Sequence, residues 1–209
     1  MDRTVIITGA AGRLGSRMMA GFRASGYAVA GVGHGSDYEA DLTVEDAVAQ
    51  VFDTIVKHHG PIFALIHTVG MWQARPLADS SVQDWELMMR VNLTSTFLCF
   101  REAARWMQTG DGRLIAVTSS QGADRARAKQ AAYAASKAGI IRLVEAAARE
   151  YQGRGISSHA LAPSVITFGD PGAAGVPASA LVQAALFLCS AAGKSASGDT
   201  MRFYGSELS

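Results

Sequence analysis

Tyr133 and Lys137 stand four apart in the stretch Tyr133-Ala134-Ala135-Ser136-Lys137. On a helix that spacing puts both side chains on one face. A free tyrosine titrates near ~10, and a cation held beside it favours the phenolate. Such a tyrosine can exchange a proton with a carbonyl or alcohol oxygen near neutral pH. By itself the pair describes a solvated helix face equally well. Ser120 lies thirteen residues before Tyr133, just past an apolar run at 114–118, with Ser119 as its rival. Either serine can also be a turn or cap residue. Asn92 shares a helical face with Trp85, Met89, Thr96 and Cys99. An inward-facing asparagine must find partners, because an unsatisfied buried amide costs about 1–3 kcal/mol.

A second constellation is Thr8-Gly9-Ala10-Ala11-Gly12-Arg13-Leu14-Gly15. It follows a short apolar run, and glycine there lets the chain turn sharply and lets a pyrophosphate approach a helix N-terminus. The spacing is GxxGxxG rather than the commoner GxGxxG, so an ordinary glycine-rich turn is the competing reading.

These groups need elements to hold them. Apolar runs predict strands over 5–7, 27–32, 61–67, 113–118, 156–161 and 199–204. Helical spacing predicts helices over 14–24, 81–107, 131–151 and 179–189. Another, capped by Thr43, carries Val44, Ala47, Val48, Val51, Phe52 and Ile55 on one stripe. Strands alternating with helices imply right-handed crossovers and one α/β, doubly wound parallel sheet covered on both faces. No linker or repeat divides the chain, which predicts a single domain over 1–209. Only about ten residues, 33–42, separate the second strand from the next helix cap. They leave room for a short edge strand at 37–42 and none for a crossover helix.

Composition narrows the class. The 209 residues are 49% hydrophobic and 18% charged, which excludes a disordered chain. The net charge of +1 gives no reason to expect nucleic acid. Cys99 and Cys189 lie in apolar stretches and form no metal-ligand cluster, so no metal is predicted. They read as reduced thiols of a cytoplasmic protein. The N-terminal apolar run is too short for a signal peptide. The uncharged stretch 171–193 is broken by Gly172, Gly175, Pro177, Ser179 and Gln183, which predicts a loop and a buried helix rather than a membrane span.

Taken jointly, TGAAGRLG at 8–15, ADL at 40–42, DW…VNL at 84–93, GRLIAVTSS at 112–120 and YAASKAG at 133–139 resemble the short-chain dehydrogenase/reductase family, in family order over nearly the whole chain. The resemblance implies a Rossmann-like fold and NAD(P)-dependent hydride transfer on a small carbonyl or alcohol substrate. It implies Tyr133 as acid/base, with Lys137 lowering its pKa and holding the nicotinamide ribose. It implies Ser120 orienting the substrate oxygen and Asn92 ordering a relay water. The Ser120 to Tyr133 spacing is the reason for preferring Ser120 over Ser119. The implied cofactor contacts are Gly9, Gly12, Arg13, Leu14, Gly15, His34, Asp41, Leu42, His67, Thr68, Val69, Gly70, Tyr133, Lys137, Pro163, Val165 and Ile166. A homodimer or homotetramer, built on the helices at 81–107 and 131–151, is also implied. The alternative is a non-catalytic NAD(P)-binding sensor on the same fold, for which the Tyr, Lys, Ser and Asn set has no use.

The sequence departs from the family pattern in five places. Arg13 replaces the usual second loop glycine, and Asn-Asn-Ala-Gly after the fourth strand reads His67-Thr68-Val69-Gly70. The Pro-Gly segment reads Pro163-Ser164-Val165-Ile166-Thr167-Phe168. Only about ten residues follow before the next helix, where relatives carry a longer substrate lid. At the end of the second strand, where a carboxylate normally selects NAD, stands Gly33 followed by His34. Arg13 and His34 are available to a 2′-phosphate, which favours NADP over NAD, unless Asp37 folds back. The loop Asp124-Arg125-Ala126-Arg127-Ala128-Lys129 reads either as a solvated surface or as an attractor of anionic substrates.

Overall fold

The strand β1 (Thr4–Thr8) is buried at every residue. A strand without a polar face belongs inside a sheet covered on both sides. The computed structural model describes residues 3–107, 110–169 and 173–205. Along it, β1 is followed by α1 (Arg13–Ala24), β2 (Ala28–Val32), α2 (Glu45–His59), β3 (Ile62–His67), α3 (Val82–Met89), α4 (Ser95–Trp106) and β4 (Gly112–Val117). Then come α5 (Ser120–Asp124), α6 (Ala131–Tyr151), β5 (Ile156–Pro163), β6 (Ile166–Thr167), β7 (Val176–Pro177), α7 (Ala178–Leu188) and β8 (Thr200–Phe203). Six strands form one parallel sheet in the order β2-β1-β3-β4-β5-β8.

Alternation along β1 divides the core. Ile6 points to one face, where Val48, Phe52 and Ile55 of α2, Cys99 and Phe100 of α4 and Val144 of α6 pack. Val5 and Ile7 point to the other, against Met18 and Phe22 of α1, Leu181 and Leu188 of α7 and Cys189 just past it. The period of two along a strand and the i, i+4 stripes on the helices make these faces match. Among the described residues, no helix is long and apolar enough to cross a membrane. Residues 171 and 172 of the expected loop lie outside the described residues.

The structure departs from the sequence expectation at four places. The segment 81–107 is not one regular helix: a π-turn at Arg90–Thr94 separates α3 from α4. Two hydroxyls fill carbonyls there, Ser95 Oγ donating to Val91 O at 2.6 Å and Thr96 Oγ1 to Asn92 O at 2.6 Å. Insertions of this kind recur at functional sites. The edge strand expected at 37–42 shrinks to one bridge between Val32 and Tyr38, with the Tyr38 hydroxyl held by His58 and His59 of α2. Thr43 does not cap α2, whose N-cap is Val44. Its amide and hydroxyl instead donate to the Asp41 carboxylate at 2.9 and 2.7 Å. The loop after β4 holds a short helix, α5, capped by the Ser119 side chain, which accepts from Gly122 N.

Candidate active site

The carboxyl ends of β1, β3, β4 and β5 face one edge of the sheet, and the chain leaves β1 and β3 in opposite directions. That switch point is where an open α/β sheet forms its crevice. Gly9 opens the turn after β1 with a φ of +68°, a conformation glycine adopts without penalty. A β-carbon on Gly15 would stand 2.0 Å from Gly9 O, so only glycine lets α1 come this close to the loop. Gly12 is the N-cap of α1, with no side-chain cap and no acid in the first turn. The free N–H groups there suit an anion. Leu14 is buried in the core beneath the loop.

A cleft of about 510 Å³ runs from this loop along the ends of β2 and β3. Its lining includes Gly12, His34, Asp41, Leu42, Val69 and Arg90. Thr43 holds the Asp41 carboxyl below its ordinary value, with His34 and Arg90 adding smaller downward influences. Arg90 is a lining residue that the sequence reading missed. The signal was its place two residues before Asn92, hidden because helical phase alone does not show the π-turn. Arg13 does not line this cleft: its guanidinium lies 4.1 Å over the Phe168 ring. The expected pairing of Arg13 with His34 around one phosphate is therefore corrected, because the aromatic face draws Arg13 across α1. Asp37 does not fold back, since Arg23 holds it at 3.2 Å.

His67, where the family pattern has asparagine, is fully buried between two hydroxyls. Ser95 Oγ spends its only proton on Val91 O. It must therefore accept from His67 Nε2 at 3.2 Å. That leaves His67 Nδ1 as the acceptor for Thr8 Oγ1 at 2.8 Å. One neutral tautomer satisfies the whole chain of bonds. Burial, aided by the nearby Lys137 charge, pushes its pKa down to about 3, so it stays neutral in the working range. Thr68 Oγ1 donates to Thr8 O at 2.7 Å, a second tie between β1 and β3.

Beyond the cleft, α6 presents Tyr133 and Lys137. Tyr133 is half-buried and packs on Gly122, where a β-carbon would stand 2.7 Å from Tyr133 Cε1. Lys137 Nζ lies 5.9 Å from the Tyr133 ring centroid. Burial pushes the Lys137 pKa down to about 8. Thr118 Oγ1 donates to Lys137 O at 2.8 Å and ties this turn of α6 to the end of β4. Asn92 Oδ1 accepts from Met71 N at 2.7 Å, and its Nδ2 donates to Met71 O and Ser136 Oγ. The two ends of the amide thus fix the chain just past Gly70. At Gly70 a β-carbon would stand 2.9 Å from Lys137 Nζ and 3.2 Å from Asn92 Oδ1.

Two expectations about this group are corrected. Ser119, not Ser120, meets Tyr133. The Ser119 oxygen accepts from Gly122 N at 3.1 Å, which leaves its proton to donate to the phenol oxygen. Ser120 Oγ is buried with no hydrogen-bond partner among the described residues. The helix α5 is the reason, because starting at Ser120 turns that side chain away and leaves Ser119 at the mouth. The Tyr133 pKa is raised, not lowered: burial pushes it up, and the Ser119 bond acts the other way. Desolvation of the phenolate outweighs the lowering expected from Lys137.

The remaining predicted positions lie at the end of β5. Pro163 closes that strand. Val165 O accepts from Val176 N at 2.7 Å, and Ile166 packs against the α1 and α7 side of the core. No group of three or more His, Cys, Asp or Glu able to hold a metal occurs among the described residues.

A family model described as enoyl-(acyl carrier protein) reductase matches residues 23–179. The chain belongs to the short-chain dehydrogenase/reductase family. It is 31% identical over 174 residues to the 3-oxoacyl-[acyl-carrier-protein] reductase MabA of Mycobacterium tuberculosis, covering 79% of this chain and 70% of that protein. It is 31% identical over 198 residues to the cis-4-hydroxycyclohexanecarboxylate dehydrogenase of Sinomonas cyclohexanicum, covering 85% and 78%. Among solved structures, a blue fluorescent protein from a metagenomic library in complex with NADPH superposes with a TM-score of 0.89 at 21% identity, covering 99% of this chain and 98% of that one. At that identity the likeness concerns the fold. As a short-chain dehydrogenase/reductase, the chain is an NAD(P)-dependent oxidoreductase acting on small molecules. The glycine cradle at Gly9 and Gly15, the uncapped start of α1 and the missing side chain at Gly70, which lines the cleft, fit a dinucleotide laid across the switch point.

Proposed function

We propose that this chain, acting as one domain over 1–209, transfers a hydride between NADP and a carbonyl or alcohol substrate. The observation that carries the reading is the convergence of Tyr133 and Ser119 with Lys137 and Asn92, the last two standing against Gly70 of the cleft lining. When bound, the nicotinamide supplies or accepts the hydride. Tyr133 gives its proton to the substrate oxygen in reduction and takes it back in oxidation. Ser119 donates a hydrogen bond to that oxygen and holds the substrate against Tyr133. The Lys137 ammonium, beside Gly70 of the cleft lining, binds ribose hydroxyls and stabilises the phenolate as it forms. Asn92 acts through position, clamping Met71 and Ser136 so that both the Gly70 segment and α6 stay in register.

The NADP preference rests on the cleft wall. No carboxylate stands at Gly33, Asp37 is committed to Arg23, and the wall is lined by Arg90 and by His34, whose Nδ1 lies 3.6 Å from Glu39. A homodimer or homotetramer rests on apolar side chains left exposed on α3 and α4, among them Val82, Trp85 and Phe97. A cytoplasmic location rests on the two buried, unpaired thiols.

The test is a hydride-transfer screen over diverse carbonyls and alcohols with both cofactors, repeated with Tyr133→Phe. Tyr133→Phe keeps the ring, folds, binds cofactor, and loses roughly 10²–10⁴ in turnover, the range for lost general acid/base catalysis. Near-normal turnover by that variant overturns the assignment.

A further inference from the structure

The loop between α5 and α6 forms one rim of the site. Gly122 of α5, against which Tyr133 packs, lies two residues before Asp124 at the end of that helix, and residues 124–129 are all exposed. Asp124, the last residue of α5, is the only acid of residues 120–130, and Arg202 of β8 takes both of its oxygens, at 2.6 and 3.0 Å. Arg125, Arg127 and Lys129 have no ion pair among the described residues. The sequence offers three cations against one carboxylate; the fold cancels the carboxylate and leaves the cations.

The backbone is held in place as well. Lys129 has a φ of +68°, a conformation a side-chain-bearing residue adopts only when its surroundings impose it. Its carbonyl accepts from Arg75 N at 2.7 Å. Arg75 belongs to the segment that leaves Gly70 and Met71, where Lys137 and Asn92 sit. The cationic loop, which continues from the α5 residue packed on Tyr133, is therefore tied to the segment that follows Gly70.

We propose that this rim recognises an anionic group on the substrate, a carboxylate or phosphate remote from the reacting carbon, through Arg125, Arg127 and Lys129. The inference rests on the oxidoreductase reading above. Each exposed pair is weak, and three acting together with local steering give a preference on the order of ten-fold.

The experiment uses the full chain with NADPH and matched probes: 4-oxo and 5-oxo carboxylic acids against their methyl esters. The acid is expected to exceed its ester about ten-fold in kcat/KM at low salt, chiefly through KM. The advantage is expected to shrink in about 0.5 M NaCl, where screening is within a few ångströms. A variant with Arg125→Gln, Arg127→Gln and Lys129→Gln is expected to bring the acid-to-ester ratio towards one. Equal kcat/KM for acid and ester in the wild type, or a ratio unmoved by the triple substitution, overturns the inference. Binding of the same probes to the NADPH-loaded chain, followed by cofactor fluorescence, reads the rim without turnover. Tighter acid binding with no reduction of either probe would support the rim and count against the reductase reading. Equal binding of acid and ester would overturn the rim whatever the turnover.

Discussion

The Lys137 ammonium lies 2.9 Å from the place where a β-carbon on Gly70 would stand. Gly70 has an ordinary φ, so its need for glycine is spatial, not conformational. The same missing atom leaves room beside Asn92 Oδ1. Gly70→Ala is expected to fold, since the lysine's end can swing aside. It should still displace the ammonium by a few tenths of an ångström to an ångström. Misplacement on that scale costs up to ~10² in rate, so kcat should fall about 10- to 100-fold with little change in Tm. Unchanged kcat would show that the ammonium does not work from this spot.

The Ser119 contact with Tyr133 separates two adjacent serines by experiment. Ser119→Ala removes a donor to the substrate oxygen and the cap of α5, and should lower kcat by roughly 10²–10³, the scale for one lost oxyanion donor. Ser120→Ala removes a buried hydroxyl without a partner. Relieving an unsatisfied buried polar group leaves stability unchanged or raises it by up to about 1–3 kcal/mol, and kcat should stay within a few-fold. The reverse ranking in kcat would restore Ser120 to the role that its spacing suggests.

The serine pair shows where the sequence was readable and where it was not. The order of strands and helices, the cleft at the switch point and the shared helix face of Tyr133 and Lys137 follow from apolar periodicity and spacing, whereas the place of Asn92 beside them is implied by the family resemblance. Spacing counts residues along the chain, however, and α5 takes up chain length between Ser119 and Tyr133 that a loop would have spent differently. Likewise the π-turn adds a residue to a helix without changing its apolar pattern, which hid Arg90. The place of Arg13 in the loop points it at a 2′-phosphate. Its stacking on Phe168 depends on a residue more than 150 positions away, a contact no local pattern encodes.

Cofactor choice turns on His34 and Arg90. NADPH should bind more tightly than NADH when both are titrated by intrinsic fluorescence. A charge-assisted contact to a phosphate contributes about 1.5–3 kcal/mol, so Arg90→Ala should weaken NADPH by about ten-fold or more. NADH should lose far less, because it lacks the 2′-phosphate. His34→Ala should act in the same direction. Tighter binding of NADH by the wild type would overturn the preference and leave the fold untouched.

Burial of Lys137 also has a consequence for stability. Its pKa falls from an ordinary 10.5 to about 8 in the folded chain, a gap equivalent to about 3 kcal/mol. Below pH 8 both states hold the proton, and the folded state bears the full cost of a desolvated ammonium. Between pH 8 and 10.5 the unfolded chain retains a proton that the folded chain has shed, so stability rises with pH. Two cysteines act in the opposite sense. Burial pushes the Cys99 thiol up, and the Cys189 thiol up to about 12. Above about pH 9 the unfolded thiols therefore ionise while the folded ones do not, and stability falls. The lysine's effect in the wild type is thus clearest between pH 8 and 9. Lys137→Met keeps the buried stem, deletes the charge and leaves both cysteines in place, so subtracting its curve isolates the lysine. In urea unfolding, Lys137→Met should gain most over wild type at pH 7, and the difference should narrow by up to about 3 kcal/mol by pH 10.5. A difference that does not change with pH would mean that the ammonium is solvated in the folded chain, and the enclosed site described for Lys137 would be wrong.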